Sequence, residues 1–190
     1  MFKKLIERYT PKCEQEVVDK ALILSFIERN PDCMYRENLV AHITSSAFVV
    51  NPEMTKMLFA HHNLYNSWGW VGGHNDGDED LLHVAIKETM EETGLINVTP
   101  FSEEVFTIDV IYVENHIKHG KYVPDHLHLN VAFLLLADER QTLRISVLEN
   151  SAVKWFEIES ILDFVSEPRM IPVYQKALDS IKNIRKGAKF

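Results

Sequence analysis

Three things are scarce in this 190-residue chain: cysteine, positive charge and long apolar runs. Only Cys13 and Cys33 occur, too few for a disulfide framework and without metal-ligand spacing, so both read as ordinary thiols. Lys and Arg number 20 against 28 Asp and Glu, a net charge of −8. That balance argues against a nucleic-acid polymer as partner, because such binding draws on Lys and Arg set against phosphates. A small phosphorylated metabolite stays open, since a bridging cation can neutralise it locally. No stretch approaches the length of a membrane span, and Met1 to Tyr9 is charged and amphipathic rather than of signal-peptide type. The expectation is therefore no membrane partner and a cytoplasmic location. Internal repeats and low-complexity tracts are also missing. With 46 % hydrophobic residues the length suits one well-buried core, and a homodimer stays open as the assembly.

Acidic residues, in contrast, are concentrated. Glu88, Glu91 and Glu92 fall at the end of one predicted helix and Glu79 stands just before it, with Gly72 and Gly73 opening the segment and Gly94 closing it. At 100° per residue the three helical carboxylates share one arc, so they repel by about a few tenths of a kcal/mol per pair. They also sit at the helix end that carries the negative pole of the dipole and prefers cations. A helix built only for solubility would spread or interleave such charges. Hard divalent cations bind oxygen ligands, and carboxylates on one rigid element hold them while leaving positions for substrate phosphate. The repulsion reads as a metal site.

From Gly73 the chain runs Gly, five residues, Glu79, seven residues, Lys87-Glu88-Thr89-Met90-Glu91-Glu92-Thr93-Gly94-Leu95. This resembles the signature of the Nudix hydrolase superfamily, G-x5-E-x7-R-E-U-x-E-E-x-G-U with U a bulky aliphatic; the departures are Lys87 for Arg and Thr89 for an aliphatic. The resemblance implies an α/β/α sandwich around a mixed sheet and hydrolysis of a diphosphate linkage in a nucleoside-diphosphate derivative. It implies Glu88, Glu91 and Glu92 as ligands of Mg²⁺ or Mn²⁺, and a catalytic set completed by Lys87 and by Glu79 as the acidic partner of Lys87. Weaker similarity extends to Trp68–Gly73, to Lys154–Glu157, and to His42–Val50 and His126–Asn130. Lysine is a point charge on a flexible stem where arginine is a planar fork, so Lys87 predicts a less rigid carboxylate set. Thr89 brings a hydroxyl that needs a partner if buried.

Around that segment, Thr10-Pro11 opens a helix in which Val17, Val18, Ala21, Leu22, Leu24 and Ile27 recur at helical spacing until Asn30-Pro31. This predicts an N-terminal helical extension over 1–38 ahead of a Nudix-type domain over 39–190. Strands are expected at Ile43–Val50, Lys56–His61, Trp68–Val71, Val105–Val113, His126–Ala137 and Val153–Phe156. Helices are expected at Leu81–Thr93, capped by Asp78 or Asp80 and ended by Gly94, then near Glu157–Val165 and over Pro172–Arg185.

As substrate contacts the sequence offers Gly72 and Gly73, whose backbone can approach metal or phosphate and which otherwise read as a tight turn. It also offers His126 and His128, which alternate with apolar residues and share a strand face with Asn130. Asp76 reads first as a turn residue. A loop holding Glu114, His116 and His119 is a source of a general base, left open among these and the glutamates. Two rival readings remain: a Nudix-like module that binds a nucleotide metabolite without cleaving it, and an isomerase of the isopentenyl diphosphate type, which needs a site cysteine and finds both cysteines ahead of the sheet.

Overall fold

The computed structural model describes residues 2–118 and 120–187; His119 lies outside them. Helices α1 (Phe2–Arg8) and α2 (Glu14–Arg29) lead into strands β1 (Ala41–Val50), β2 (Lys56–His62), β3 (Ser67–Gly69) and β4 (Val71–His74). Helix α3 (Leu81–Thr93) follows, then β5 (Thr99–Pro100), β6 (Thr107–Val113), β7 (His116–Lys118), β8 (Lys121–Val123), β9 (His126–Leu136) and β10 (Asn150–Glu157), and α4 (Ile171–Arg185) closes the described chain. Eight strands join in one sheet of order β10-β2-β1-β9-β5, with β3 on β2, β4 on β1 and β6 on β9; β7 and β8 pair separately. Four α-helices among the described residues accompany the sheet, which makes the fold α/β. No helix among the described residues is long and apolar enough to cross a membrane.

The chain divides into two compact units. One takes the chain through Ser46, Gly73–Ala85 and Glu104–Phe133; the other takes Ala47–Gly72, Ile86–Glu103 and the chain from Leu134 onward. In the first, β6 runs antiparallel to β9 from Thr107 opposite Ala132 to Val113 opposite His126. Ile43, Phe106, Ile108, Leu129 and Val131 are buried there. Helix α2 packs on β6, though not with the face its apolar spacing suggests. Val17, Val18 and Leu22 are exposed, while Ile23 and the charged Glu16 are buried. Polar bonds decide the orientation. A Glu16 carboxylate oxygen accepts from the Tyr9 hydroxyl at 2.6 Å and from the Lys12 N–H at 2.8 Å, and Asp19 accepts the Val110 N–H at 2.8 Å. Bonding these polar groups outweighs covering Val17, Val18 and Leu22.

In the second unit, β10 pairs antiparallel with β2 from Glu157 opposite Lys56 to Asn150 opposite His62, with one irregularity between Asn150 and Ala152. Because pairing continues through Glu157, and the next N–H donates to the Thr55 carbonyl at 2.9 Å, the helix expected over Glu157–Val165 is reduced to a 3₁₀ turn, Ile161–Phe164. The strand expected at Trp68–Val71 is two short strands, β3 and β4, and Gly72 and Gly73 lie in β4 rather than in a turn. Trp68 meets Phe156 edge-on and Trp70 meets Phe48 and Tyr174, so both indoles are packed among aromatic rings. The segment expected as a loop around His116 is the β7–β8 hairpin.

Candidate functional site

Helix α3 is anchored at both ends by residues the sequence marks for that purpose. Asp80 accepts the His83 N–H at 3.0 Å on its side chain and the Val84 N–H at 3.1 Å on its carbonyl, the geometry of an N-cap. At the other end Gly94 adopts φ +73° and gives its N–H to Met90 O at 2.9 Å. Glycine is needed there twice over, since a Cβ would also stand 2.8 Å from Arg144 Cβ and 2.9 Å from its backbone nitrogen. A helix fixed in this way presents its last turn at a defined angle.

That turn carries the glutamates. Glu92 is 2 % exposed, and its Oε1 accepts the Gly72 N–H at 2.8 Å. Burial pushes its carboxyl up to about 8; the Gly72 bond opposes the rise, and the charges of Glu149 and Glu88 add to it. Glu88 is half-buried and is also raised by burial, against the pull of Lys87. Lys87 Nζ stands 3.3 Å from Glu88 and 3.6 Å from the exposed Glu91, and the Glu88 charge raises the lysine further. His62 Nδ1 lies 4.0 Å from Glu92 Oε2. Its Nε2 is 2.6 Å from the Trp70 carbonyl and must be the donor, because a carbonyl only accepts. Burial holds this imidazole below its ordinary value. With the imidazole neutral and Glu92 protonated at neutral pH, the pair is not a salt bridge, and 4.0 Å is too long for a hydrogen bond.

The donor set fits a hard divalent cation. Three carboxylates stand together with one ammonium, a fourth carboxylate acts electrostatically on Glu88 and Glu92, and burial keeps the most buried of them protonated. Glu149 is the functional candidate that sequence reasoning missed. It is exposed, just ahead of β10, accepts the Ser146 hydroxyl at 2.9 Å, and its charge reaches Glu88, Glu92 and His62. It has no spacing relation to the glutamate helix, so nothing in the sequence could have singled it out.

The residues that open the motif belong to the first unit. Asp76 has φ +46°, and both its carboxylate oxygens bond the Arg36 guanidinium, so it acts as a turn residue tied by an ion pair. Asn75 gives its side-chain amide to the Asp78 carbonyl at 3.0 Å and accepts the Ser45 hydroxyl at 3.0 Å. Glu79 is exposed immediately before the capping Asp80. His126, 6 % exposed, and Asn130, 1 % exposed, lie on a face that is polar yet covered. Asn130 Oδ1 accepts from Thr44 at 3.0 Å and Ser46 at 2.7 Å, and His126 Nε2 is 3.3 Å from His128 Nε2. The structure thus brings Gly72, Lys87, Glu88, Glu91 and Glu92 together, and gathers His126 and His128 in a second group with His42 and His74.

A family model described as NUDIX domain matches residues 40–177. Among solved structures, a hydrolase of the NUDIX family from Clostridium perfringens superposes with a TM-score of 0.54 at 21 % identity, covering 74 % of this chain and 97 % of that one. The C. elegans Ap4A hydrolase in a binary complex gives 0.55 at 18 % identity, over 77 % and 98 %. The E. coli dihydroneopterin triphosphate pyrophosphohydrolase gives 0.53 at 13 % identity, over 77 % and 96 %. At identities this low, these superpositions show a shared fold and no more. No curated protein matches the chain. With the glutamate helix, its two caps and the sheet strand that feeds it all in the expected order, and with the family model spanning most of the sequence, this chain belongs to the Nudix family.

Proposed function

We propose that the chain is a metal-dependent hydrolase that cleaves a phosphoanhydride bond in a small nucleoside-diphosphate-linked or related diphosphate substrate. The observation that carries this reading is the last turn of α3, where Glu92, 2 % exposed and bonded to the Gly72 N–H, stands with Glu88 and Glu91 while the Lys87 ammonium reaches the latter two. A structural role would not require so costly an arrangement, whereas a cation site accounts for it. Glu88, Glu91 and Glu92 are the ligands in this proposal, for Mg²⁺ or Mn²⁺. The cation, when bound, offsets charge on the phosphate oxygens and acidifies water.

The remaining steps fall to the chain's own groups. Lys87 neutralises part of the Glu88 and Glu91 charge and so limits their repulsion before substrate arrives. The Gly72 N–H fixes one Glu92 oxygen. Gly73, without a side chain, leaves room for a phosphate, and Glu79 remains in the proposed catalytic set through its place in the motif. Glu149 is the candidate proton acceptor, being exposed and within electrostatic reach of both Glu88 and Glu92. His126 and His128 enter as hydrogen-bond partners toward substrate. The ligand is a small phosphorylated metabolite rather than a polymer, in keeping with the net charge of −8, and the setting is cytoplasmic. Two of the solved relatives are named for different substrates, Ap4A and dihydroneopterin triphosphate, so the proposal stays at the level of the bond cleaved.

The test is a panel of nucleotide sugars, dinucleoside polyphosphates, ADP-ribose and nucleoside triphosphates, assayed with Mg²⁺ and Mn²⁺. Turnover of at least one compound is expected, falling by roughly 10²–10⁴-fold in Glu88→Gln or Glu92→Gln. Binding of a compound without turnover under either metal would replace the hydrolase with a nucleotide-metabolite sensor.

A further inference from the structure

Outside the glutamate helix, the first unit holds a cluster of three imidazoles, of which the proposed hydrolysis gives a role to His128 alone. His42 on β1, His74 at the end of β4 and His128 on β9 each offer a ring nitrogen, and these atoms lie within 4.8 Å of one another. Their ring centroids form a nearly equilateral triangle: 4.9 Å from His42 to His74, 5.0 Å from His42 to His128 and 5.0 Å from His74 to His128. An imidazole centroid stands about 3.2 Å from an ion bound at about 2.0 Å, so three around one tetrahedral ion stand about 5.2 Å apart. The observed spacing is close to that.

Hydrogen bonding prepares the nitrogens for such a role. His42 Nδ1 is 3.0 Å from the Asn38 carbonyl, so it carries the proton and the lone pair is left on Nε2. That Nε2 is buried, in a residue only 3 % exposed, and finds no hydrogen-bond partner among the described residues. A buried acceptor left unpaired is costly. A carbonyl that fixes the tautomer and aims the other nitrogen inward is the usual support of a metal-binding histidine. His126 provides a similar support to His128. Its Nδ1 donates to the Pro124 carbonyl at 2.8 Å, and its Nε2 is 3.3 Å from His128 Nε2. In the tautomer that donates from Nε2 to His126, His128 keeps a lone pair on its other nitrogen. Burial holds His42, His74 and His128 in the neutral form that ligates.

We propose that His42, His74 and His128 form a nitrogen-ligand site for a borderline divalent transition metal, with Zn²⁺ as the first candidate, separate in donor chemistry from the carboxylate site. Three neutral imidazoles leave the ion its full charge and an open position, the pattern of a site that takes water or an anion as fourth ligand. Asn130, two residues along the same face from His128, has a buried side-chain nitrogen with no partner among the described residues, a donor suited to such an anion. Mg²⁺ does not compete, because it prefers oxygen ligands and keeps its waters. His128 then meets a cation first, and direct contact with substrate becomes the competing outcome.

Equilibrium dialysis of metal-stripped protein against Zn²⁺, and titration with Co²⁺ followed by visible absorption, test the site without any need for turnover. About one Co²⁺ per chain should bind with an intense tetrahedral band. His74→Ala and His128→Ala should each lose the band and bind Zn²⁺ at least about tenfold more weakly, while Glu92→Gln retains both. His42→Gln serves as a second variant of the buried position, with circular dichroism to establish folding. Absence of uptake by the wild type overturns the proposal, as does uptake that survives in the folded histidine variants or is lost in Glu92→Gln. It is also overturned if metal-stripped wild type takes up no Zn²⁺ while His128→Ala weakens binding of a non-hydrolysable diphosphate analogue in Mg²⁺, which would place His128 on substrate directly. A failed hydrolase assay leaves these outcomes untouched.

Discussion

Buried beside His62 and bonded to the Gly72 N–H, Glu92 keeps its proton up to about pH 8 in the metal-free chain. In the unfolded chain the same carboxyl ionises near its ordinary 4.5. Between those values the folded state binds one proton more than the unfolded state, so this residue's contribution to stability is complete below pH 4.5 and is lost as pH rises through about 8. Glu92→Gln mimics the protonated form at every pH. In EDTA, urea denaturation should therefore show the variant gaining on the wild type by roughly 2–4 kcal/mol between about pH 4.5 and about pH 8.5; parallel curves would mean that Glu92 ionises normally. Lys87 presents a second residue-scale expectation. It reaches Glu88 and Glu91 with one ammonium, and Lys87→Arg offers a fork that can hold both, so turnover should be unchanged or raised by up to roughly tenfold. A large loss would assign the ammonium a role of its own, such as contact with substrate phosphate.

At the scale of the element, α3 depends on its ends. Removing the Asp80 side chain leaves the His83 N–H without its acceptor, and Asp80→Ala should cost about 1 kcal/mol in denaturant titration. Gly94→Ala meets both a positive φ and the Arg144 backbone. It should cost more, about 2–3 kcal/mol, and should also weaken Mg²⁺ or Mn²⁺ binding, because the last turn carries the ligands. Equal losses in the two variants, with cation affinity unchanged in Gly94→Ala, would show that the C-terminal cap does not position the glutamates.

For the whole molecule, ligand linkage is the readout. A cation that binds only the folded chain stabilises it by about 2.7 kcal/mol at a hundredfold excess over Kd. Mg²⁺ or Mn²⁺ should raise the thermal midpoint of the wild type and leave that of Glu92→Gln almost unmoved. Because cation binding must displace the Glu92 proton, the stabilisation by metal should grow as pH rises from about 6 to about 8. A metal-induced shift that persists in the variant would place the cation elsewhere.

What the sequence determined by itself was local. Glu88, Glu91 and Glu92 share one helical arc at any tertiary arrangement, Asp80 and Gly94 carry the cap chemistry of their own positions, and the alternation from His126 to Val131 assigns its residues to opposite faces of a strand. The α/β fold, the bounds of α3 and the long strands β1 and β9 were legible for the same reason. Partners distant in sequence were not. Which face of α2 is covered depended on the N–H of Val110, 91 residues from the Asp19 that accepts it. The helix after β10 yielded to strand pairing with β2. Glu149 and the His42, His74 and His128 group carry no spacing signal, because only hydrogen-bonded register between strands brings such residues within reach of one another. Burial, which raises Glu92 and leaves His42 Nε2 unpaired, is likewise a property of the packed chain: desolvation requires that other residues exclude water, and the sequence near each group does not say which ones will.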